Sequence, residues 1–141
     1  MNAATNAARQ TQLRQVVEAY FAGLRQKDFA AIPYAADVTL RAPLAPGGVN
    51  NILAGKNNLH AHWWTPLEPA LAGVEIELLE VYFNTALTAV CAEALITLNV
   101  MTPPVTLRVA DRFTVNAAGE ITEQENHFDP RDVTNPGWQN S

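Results

Sequence analysis

From Thr11 the chain changes from a polar, Ala-rich stretch to a helical pattern. Leu13, Val16, Val17, Tyr20, Phe21 and Leu24 fall at i, i+3, i+4, i+7, i+8 and i+11, which is one face of a helix. Thr11 is its expected N-cap, and Arg25 and Lys27 suit its negative C-terminal end. Residues 1–10 lack an apolar pattern and are expected to fray. A short second helix is expected over residues 29–32, capped by Asp28 and closed by Pro33. Residues 38–42 read as a short strand and 52–54 as another. The loop between them, 43–51, holds two prolines and two glycines. Gly55 opens a third helix, 56 to about 72, with Leu59, Trp63, Pro66, Leu67 and Leu71 on its apolar side. Pro66 and Pro69 should kink it or end it early.

The remainder follows the two-residue period of strands. Val74, Ile76 and Leu78 oppose Glu75 and Glu77 within a strand over 74–83. Residues 87–100 are rich in Leu, Val, Ile and Thr, and 101–104 make a turn. In 105–115, Val105, Leu107, Val109, Asp111, Phe113 and Val115 share one face. A Gly-containing hairpin loop at 116–119 leads to a last strand over 121–128. The tail from Asp129, with Pro130, Pro136 and Gly137, is expected to be extended. Helices followed by a meander of four long strands indicate an α+β layer fold. A strongly curved sheet wrapped on the helices would enclose a pocket.

Composition narrows the function classes. A chain of 141 residues is the size of one domain. Charged residues make up 16%, against a typical ~25%, so apolar walls or a partner surface are implied. The net charge is −5. No Lys or Arg occurs between Asn57 and Leu107, where Glu68, Glu75, Glu77, Glu80 and Glu93 do. No cationic stripe for nucleic acid is visible. The longest charge-free stretches are 14 residues and contain prolines, short of the ~20 apolar residues of a membrane span. There is no apolar signal core at the N-terminus. A single cysteine, Cys91, excludes an internal disulfide and a cysteine metal cluster. A cytoplasmic location is expected, with no cofactor, no nucleic acid and no membrane as partner.

Asp111 is the odd residue in the pattern. It sits on the apolar face of its strand between Val109 and Phe113, and the opposite register would bury Arg108 and Arg112 instead. A carboxyl there must pair or stay protonated. Protonated, it could donate a hydrogen bond to a developing oxyanion. A structural carboxylate bonded to a backbone amide or a tyrosine fits the pattern equally well.

The segment LRVADRFTVNAAGEITEQENHFD, residues 107–129, resembles the last hairpin of ketosteroid isomerases. More broadly it resembles the nuclear transport factor 2-like superfamily, which includes SnoaL-like polyketide cyclases and limonene epoxide hydrolase. Tyr20 followed eight residues later by Asp28 has the isomerase spacing, and GKNNLHAHWW, residues 55–64, resembles the opening of its third helix. The resemblance implies a cone: three N-terminal helices packed on a curved, mostly antiparallel sheet that encloses a pocket. It divides the chain into a flexible N-terminus, 1–10, a SnoaL-like or ketosteroid isomerase-like domain, 11–129, and an extended C-terminal tail, 130–141.

The resemblance also implies roles. Asp111 and Tyr20 match the two oxyanion donors of the isomerase, Tyr34 a supporting tyrosine, and Trp63 the position of another. Thr122, Gln124, Asn126 and Phe128 would face the cavity, with Glu123, Glu125 and His127 outside. The isomerase's general base falls at Ala42, and no carboxylate lies between Arg41 and Lys56, so the 3-oxosteroid isomerase reaction is not expected. Limonene epoxide hydrolase needs two aspartates that fall near Ala94 and at Asn126, so that reaction is not expected either. His60 or His62 with Asp111 could imitate the acid–base pair of SnoaL-like cyclases.

Other residues complete the picture. His60 and His62, two apart on a helix, lie about 200° apart around its axis and cannot chelate together; no metal is expected. His60 reads either as a catalytic acid–base group or as a boundary residue covering the core. Trp63 is expected inside and Trp64 at a lip or subunit contact. Cys91, Leu95 and Thr97 alternate with the inferred cavity residues Ala92, Ala94, Ile96 and Leu98. That apolar outer face suggests a sheet-to-sheet homodimer. Trp138 would dock on the sheet or on another subunit.

Three functions follow. One is an isomerase or cyclase acting on a small apolar carbonyl compound through Tyr20 and Asp111, with His60 as the base. Another is a binding domain for such a ligand, gripped by Tyr34, Trp63, Gln124, Asn126 and Phe128 as well. The third is a dimeric interaction module with a vestigial pocket.

Overall fold

A computed structural model describes residues 3–140 of the chain. The first helix, α1, spans Ala3–Gln26 and buries Leu13, Val16, Val17, Tyr20, Phe21 and Leu24. It begins eight residues before the expected cap. Thr11 lies within it, and its hydroxyl donates to the Ala7 carbonyl at 3.1 Å. The Ala-rich start has high helix propensity without an apolar pattern. A long-range contact also holds it: the Arg9 guanidinium donates to the carbonyls of Leu87, Val115 and Asn116 at 2.8, 2.8 and 3.0 Å. The helix ends with Lys27 in the left-handed region (φ 54°). Lys27 N–H bonds Leu24 O, and Asp28 N–H bonds Gly23 O, the two closing bonds of a Schellman motif. Asp28 makes no side-chain cap, and the expected second helix is one 3-10 turn, Phe29–Ala31.

Six strands form one curved, unclosed sheet in the order β2-β1-β6-β5-β4-β3. They are β1 (Tyr34–Arg41), β2 (Leu53–Ala54), β3 (Glu75–Phe83), β4 (Ala89–Leu98), β5 (Val105–Val115) and β6 (Ile121–His127). All pairs are antiparallel except β1 with β6. β1 starts four residues earlier than the pattern suggests, because its first residue, Tyr34, pairs with Ile121. In β4 the buried residues are Val90, Ala92, Ala94, Ile96 and Leu98, as the alternation implies. β6 carries a register shift: Val115 pairs with Ile121 but Thr114 pairs with Glu123. Thr122 is thus the extra residue of a bulge. It does not face the cavity, and its hydroxyl donates to the Thr114 carbonyl at 3.3 Å.

The third helical segment runs from Lys56 to Leu71 but changes type. It is α2 (Lys56–Leu59), a π-turn (His60–Trp64), α3 (Thr65–Leu67) and a 3-10 turn (Glu68–Leu71). Pro66 has no N–H to give, and widening to a π-turn is one way a helix accommodates that. The Thr65 N–H and hydroxyl both donate to the His60 carbonyl. The wider turn brings two consecutive tryptophans inward. Trp64 is 2% exposed and packs on Phe29, so it is a core residue and not a lip.

The tail is not extended. Residues Arg131–Thr134 form a helical turn, α4, and Trp138–Asn140 a 3-10 turn. The Arg131 guanidinium bonds the Asp129 carboxylate at 2.6 Å and lies 3.5 Å from the Trp138 ring centroid. The Trp138 indole N–H donates to Asp132 Oδ1 at 2.9 Å. These contacts fold the tail on itself, and Val133 of α4 packs against the core. Among the described residues, no helix is long and apolar enough to cross a membrane.

Candidate functional site

The helices do not fill the concave side of the sheet, and a cavity of about 230 Å³ remains. Its walls are apolar, built from Leu24, Trp63, Ile96, Leu98, Leu107 and Val109 among others. Three groups able to hydrogen-bond through their side chains converge at one end: Tyr20 from α1, Asp111 from β5 and Asn126 from β6. Strand phase places the last two. Asp111 is inward with Val109 and Phe113, and it pairs with Asn126 on one side and Ala92 on the other. Directly paired residues project to the same face with Cβ atoms about 5 Å apart. Ala92 has too little side chain to cover the carboxyl. Tyr20 is held by its ring, whose centroid lies 4.9 Å from that of Phe113 and 5.1 Å from that of Phe21.

Asp111 is 2% exposed. Among the described residues no hydrogen bond or ion pair reaches its carboxyl. Burial alone pushes its pKa from 3.8 up to about 7, because the charged form loses its hydration without a replacement. Near neutrality the group is therefore divided between acid and carboxylate. The hydroxyls of Tyr20 and Tyr34 are raised well above their ordinary value, first by burial and then by the Asp111 charge. The Gln124 amide works the other way on both, joined at Tyr20 by Asn126. Both tyrosines stay protonated and remain donors.

Of the residues singled out from the sequence, the structure brings Tyr20, Trp63, Asp111, Asn126 and Phe128 to the cavity wall. Gln124 and Tyr34 are buried behind it. The Tyr34 hydroxyl donates to Gln124 Oε1 at 2.6 Å, and Gln124 Nε2 donates to Asn126 Oδ1 at 3.2 Å. His60 is not in the wall. It is exposed, and its ring meets Phe29 edge-on with centroids 4.9 Å apart. His62 is exposed as well. Ala42 does line the cavity and is 2% exposed, so the position that the resemblance matches to the isomerase base presents only a methyl group there. Among the described residues, no group of three His, Cys, Asp or Glu side chains is placed to hold a metal ion.

Three contributors were missing from the sequence reading. Leu44, exposed, stands at the rim, Ala70 comes from the third helical segment, and Val133 reaches the cavity from α4. Leu44, an apolar residue inside a Pro- and Gly-rich loop, was a usable signal. Val133 had none, because the fold of the tail rests on the Arg131, Asp129 and Trp138 contacts.

The family described as SnoaL-like domain matches residues 17–124 of the chain. No curated protein sequence matches it. Among solved structures, the epoxide hydrolase/cyclase-like enzyme SalBIII, described for its role in pyran ring formation in the polyether salinomycin, superposes with a TM-score of 0.72. That pair is 19% identical, over 87% of this chain and 95% of the other. An LEH-like epoxide hydrolase of Mycobacterium tuberculosis gives 0.65 at 22% identity, covering 89% of each chain. A second Mycobacterium tuberculosis protein, solved in complex with estradiol-17beta-hemisuccinate, gives 0.66 at 12% identity, over 84% of this chain and 94% of the other. At these identities the likeness is one of fold.

Proposed function

Because the chain belongs to the SnoaL-like domain family, we propose that it is a small-molecule pocket protein whose ligand is small, largely apolar and carries a carbonyl oxygen. The observation that carries this reading is Asp111, a buried carboxyl without a partner among the described residues, at the polar end of an apolar cavity. Leaving a polar group buried and unpaired is costly, and a ligand oxygen supplies the missing partner. The volume, about 230 Å³, lies below the ~300–1,000 Å³ usual for drug-sized ligands, which favours a compact molecule. Tyr20 and protonated Asp111 would donate to its oxygen, Asn126 would stand beside them, and Trp63 and Phe128 would cover its apolar body. The fold also carries a steroid derivative in one solved neighbour.

Catalysis of the isomerase or cyclase kind rests on the same carboxyl. An acid–base group works best with a pKa near the working pH, and about 7 meets that condition. With Ala42 in the wall and His60 outside it, Asp111 is the one carboxyl among the lining residues. A reaction needing a single proton-transfer group, with Tyr20 holding the oxygen, therefore fits better than one needing a separate base. Two further readings accompany this one. The outward residues Cys91, Leu95 and Thr97, with exposed Tyr82 opposite Cys91, support a homodimer through the outer sheet face, which light scattering would contradict by returning a monomer. The single cysteine supports a reducing, cytoplasmic location.

The test is calorimetric titration with a rigid apolar ketone, 2-adamantanone, at pH 6. Asp111→Asn keeps an N–H donor and should bind within about threefold of the unmodified protein, whereas Asp111→Leu should lose about tenfold. Equal affinity in all three proteins, or no binding to any, would overturn the proposal.

A further inference from the structure

Behind the cavity runs a hydrogen-bond chain that the proposed ligand does not touch. Tyr34 and Gln124 are 3% and 2% exposed, lie outside the wall, and connect through Asn126 to it. The direction of this chain follows from counting protons. A hydroxyl has one proton to give, and an amide has one accepting and one donating end. Gln124 is the one hydrogen-bond partner of the Tyr34 hydroxyl among the described residues. That proton must therefore go to Gln124 Oε1. Turning the Gln124 amide around would leave a buried hydroxyl proton without an acceptor, which is unfavourable. With Oε1 occupied, Gln124 offers its NH2 group to Asn126, whose Oδ1 accepts it. With its Oδ1 directed at Gln124, Asn126 turns its NH2 group to the cavity end. The influence of both amides on Tyr20, which favours the ionised phenol, has the same sense.

We propose that Tyr34 and Gln124 are positioning residues that lock Asn126 as a donor, so that the cavity prefers a ketone to the alcohol of the same skeleton. The inference rests on the small-molecule reading above and adds the polarity of the ligand. A ketone oxygen accepts from two donors and has no proton to place. An alcohol must direct its own proton at an acceptor. With Tyr20 and Asn126 turned as donors, the acceptor left is a carboxyl oxygen of Asp111, so the alcohol must meet both a donor and an acceptor of one carboxyl where the ketone meets donors alone.

The experiment is paired calorimetry at pH 6 with 2-adamantanone and 2-adamantanol, on the unmodified protein, Tyr34→Phe and Asn126→Asp. The unmodified protein should favour the ketone by about threefold to tenfold. Tyr34→Phe removes one oxygen from outside the cavity wall and frees both amides to turn. The ketone-to-alcohol ratio should fall towards one while thermal unfolding stays cooperative. A purely structural tyrosine would weaken both ligands alike, and that result, or an unchanged ratio, overturns the positioning role. Asn126→Asp places an acceptor at the same point and should invert the ratio. It gives the answer even if Tyr34→Phe does not fold, because an unchanged ratio overturns the inference. Equal binding of both probes by the unmodified protein sinks the polarity argument and leaves the small-molecule reading standing. Binding of neither probe removes both.

Discussion

Asp111→Asn tests the physical state of the carboxyl without any ligand. In the folded chain its pKa rises from 3.8 to about 7. In the unfolded chain it returns to an ordinary ~3.9. Below about pH 4 both states hold the proton, and the carboxyl does not disfavour folding. Between about pH 4 and pH 7 the unfolded chain has released the proton and the folded chain keeps it. The folded state binds more protons there, so stability falls as pH rises. Above about pH 7 both states are ionised and the penalty is complete. Integrated at about 1.4 kcal/mol per pH unit, it amounts to about 4 kcal/mol. Asparagine has nearly the same shape and does not titrate. The stability of Asp111→Asn relative to the unmodified protein should therefore improve by about 4 kcal/mol between pH 4 and pH 8. Urea unfolding reads this directly: with a slope of about 2 kcal/mol per M, the difference in midpoints changes by about 2 M. Taking the difference cancels other titrating groups, including the exposed Arg112–Glu125 and Arg131–Asp129 pairs. Parallel pH profiles for the two proteins would refute the reasoning, because the fold would then not be holding the carboxyl uncharged.

Binding of 2-adamantanone should weaken above pH 7, by up to about tenfold per pH unit, as the donor form of Asp111 disappears, and should be flat with pH in Asp111→Asn; calorimetry at pH 6, 7, 8 and 9 checks this. Ala42→Asp restores a carboxyl where the isomerases carry their base, and NMR should detect at least a tenfold faster exchange of deuterium next to the carbonyl of a bound enolisable ketone, cyclohexanone; an unchanged rate would count against the site geometry. Arg9→Ala removes the bonds to the Leu87, Val115 and Asn116 carbonyls and should destabilise by about 2 kcal/mol in urea unfolding, whereas a frayed N-terminus would show no change. Gly23→Ala should destabilise by about 1–3 kcal/mol despite alanine's helix propensity, because an added Cβ would lie 2.6 Å from Ile32 Cγ1.

How far the sequence could be read depended on the range of the interaction. The long strands were legible because their inner and outer faces differ. Val105 to Val115 alternates without interruption, so the inward position of Asp111 could be read directly. Where one residue is inserted the phase breaks without warning, so alternation alone puts Thr122 on the wrong face. The α period does not carry through the helix holding Trp63 and Trp64, because the π-turn before Pro66 changes the angle per residue and buries both. The first turns of α1 and the tail depend on single side chains reaching distant or irregular partners. Arg9 meets residues 87, 115 and 116, and no local pattern announces such contacts. At the cavity, Tyr20 and Asp111 were visible through helical phase, strand phase and the family resemblance. The exposed position of His60 was not, because a histidine at the edge of a helical face suits core and surface alike.

The central claim, that Tyr20 and protonated Asp111 together hold a ligand oxygen, is tested most directly by a crystal structure of the protein with 2-adamantanone at pH 6. The account requires the ketone inside the cavity with its oxygen within about 3 Å of both Tyr20 Oη and an Asp111 carboxyl oxygen. A ketone seated with its oxygen away from Asp111, or bound only outside the cavity, would contradict it.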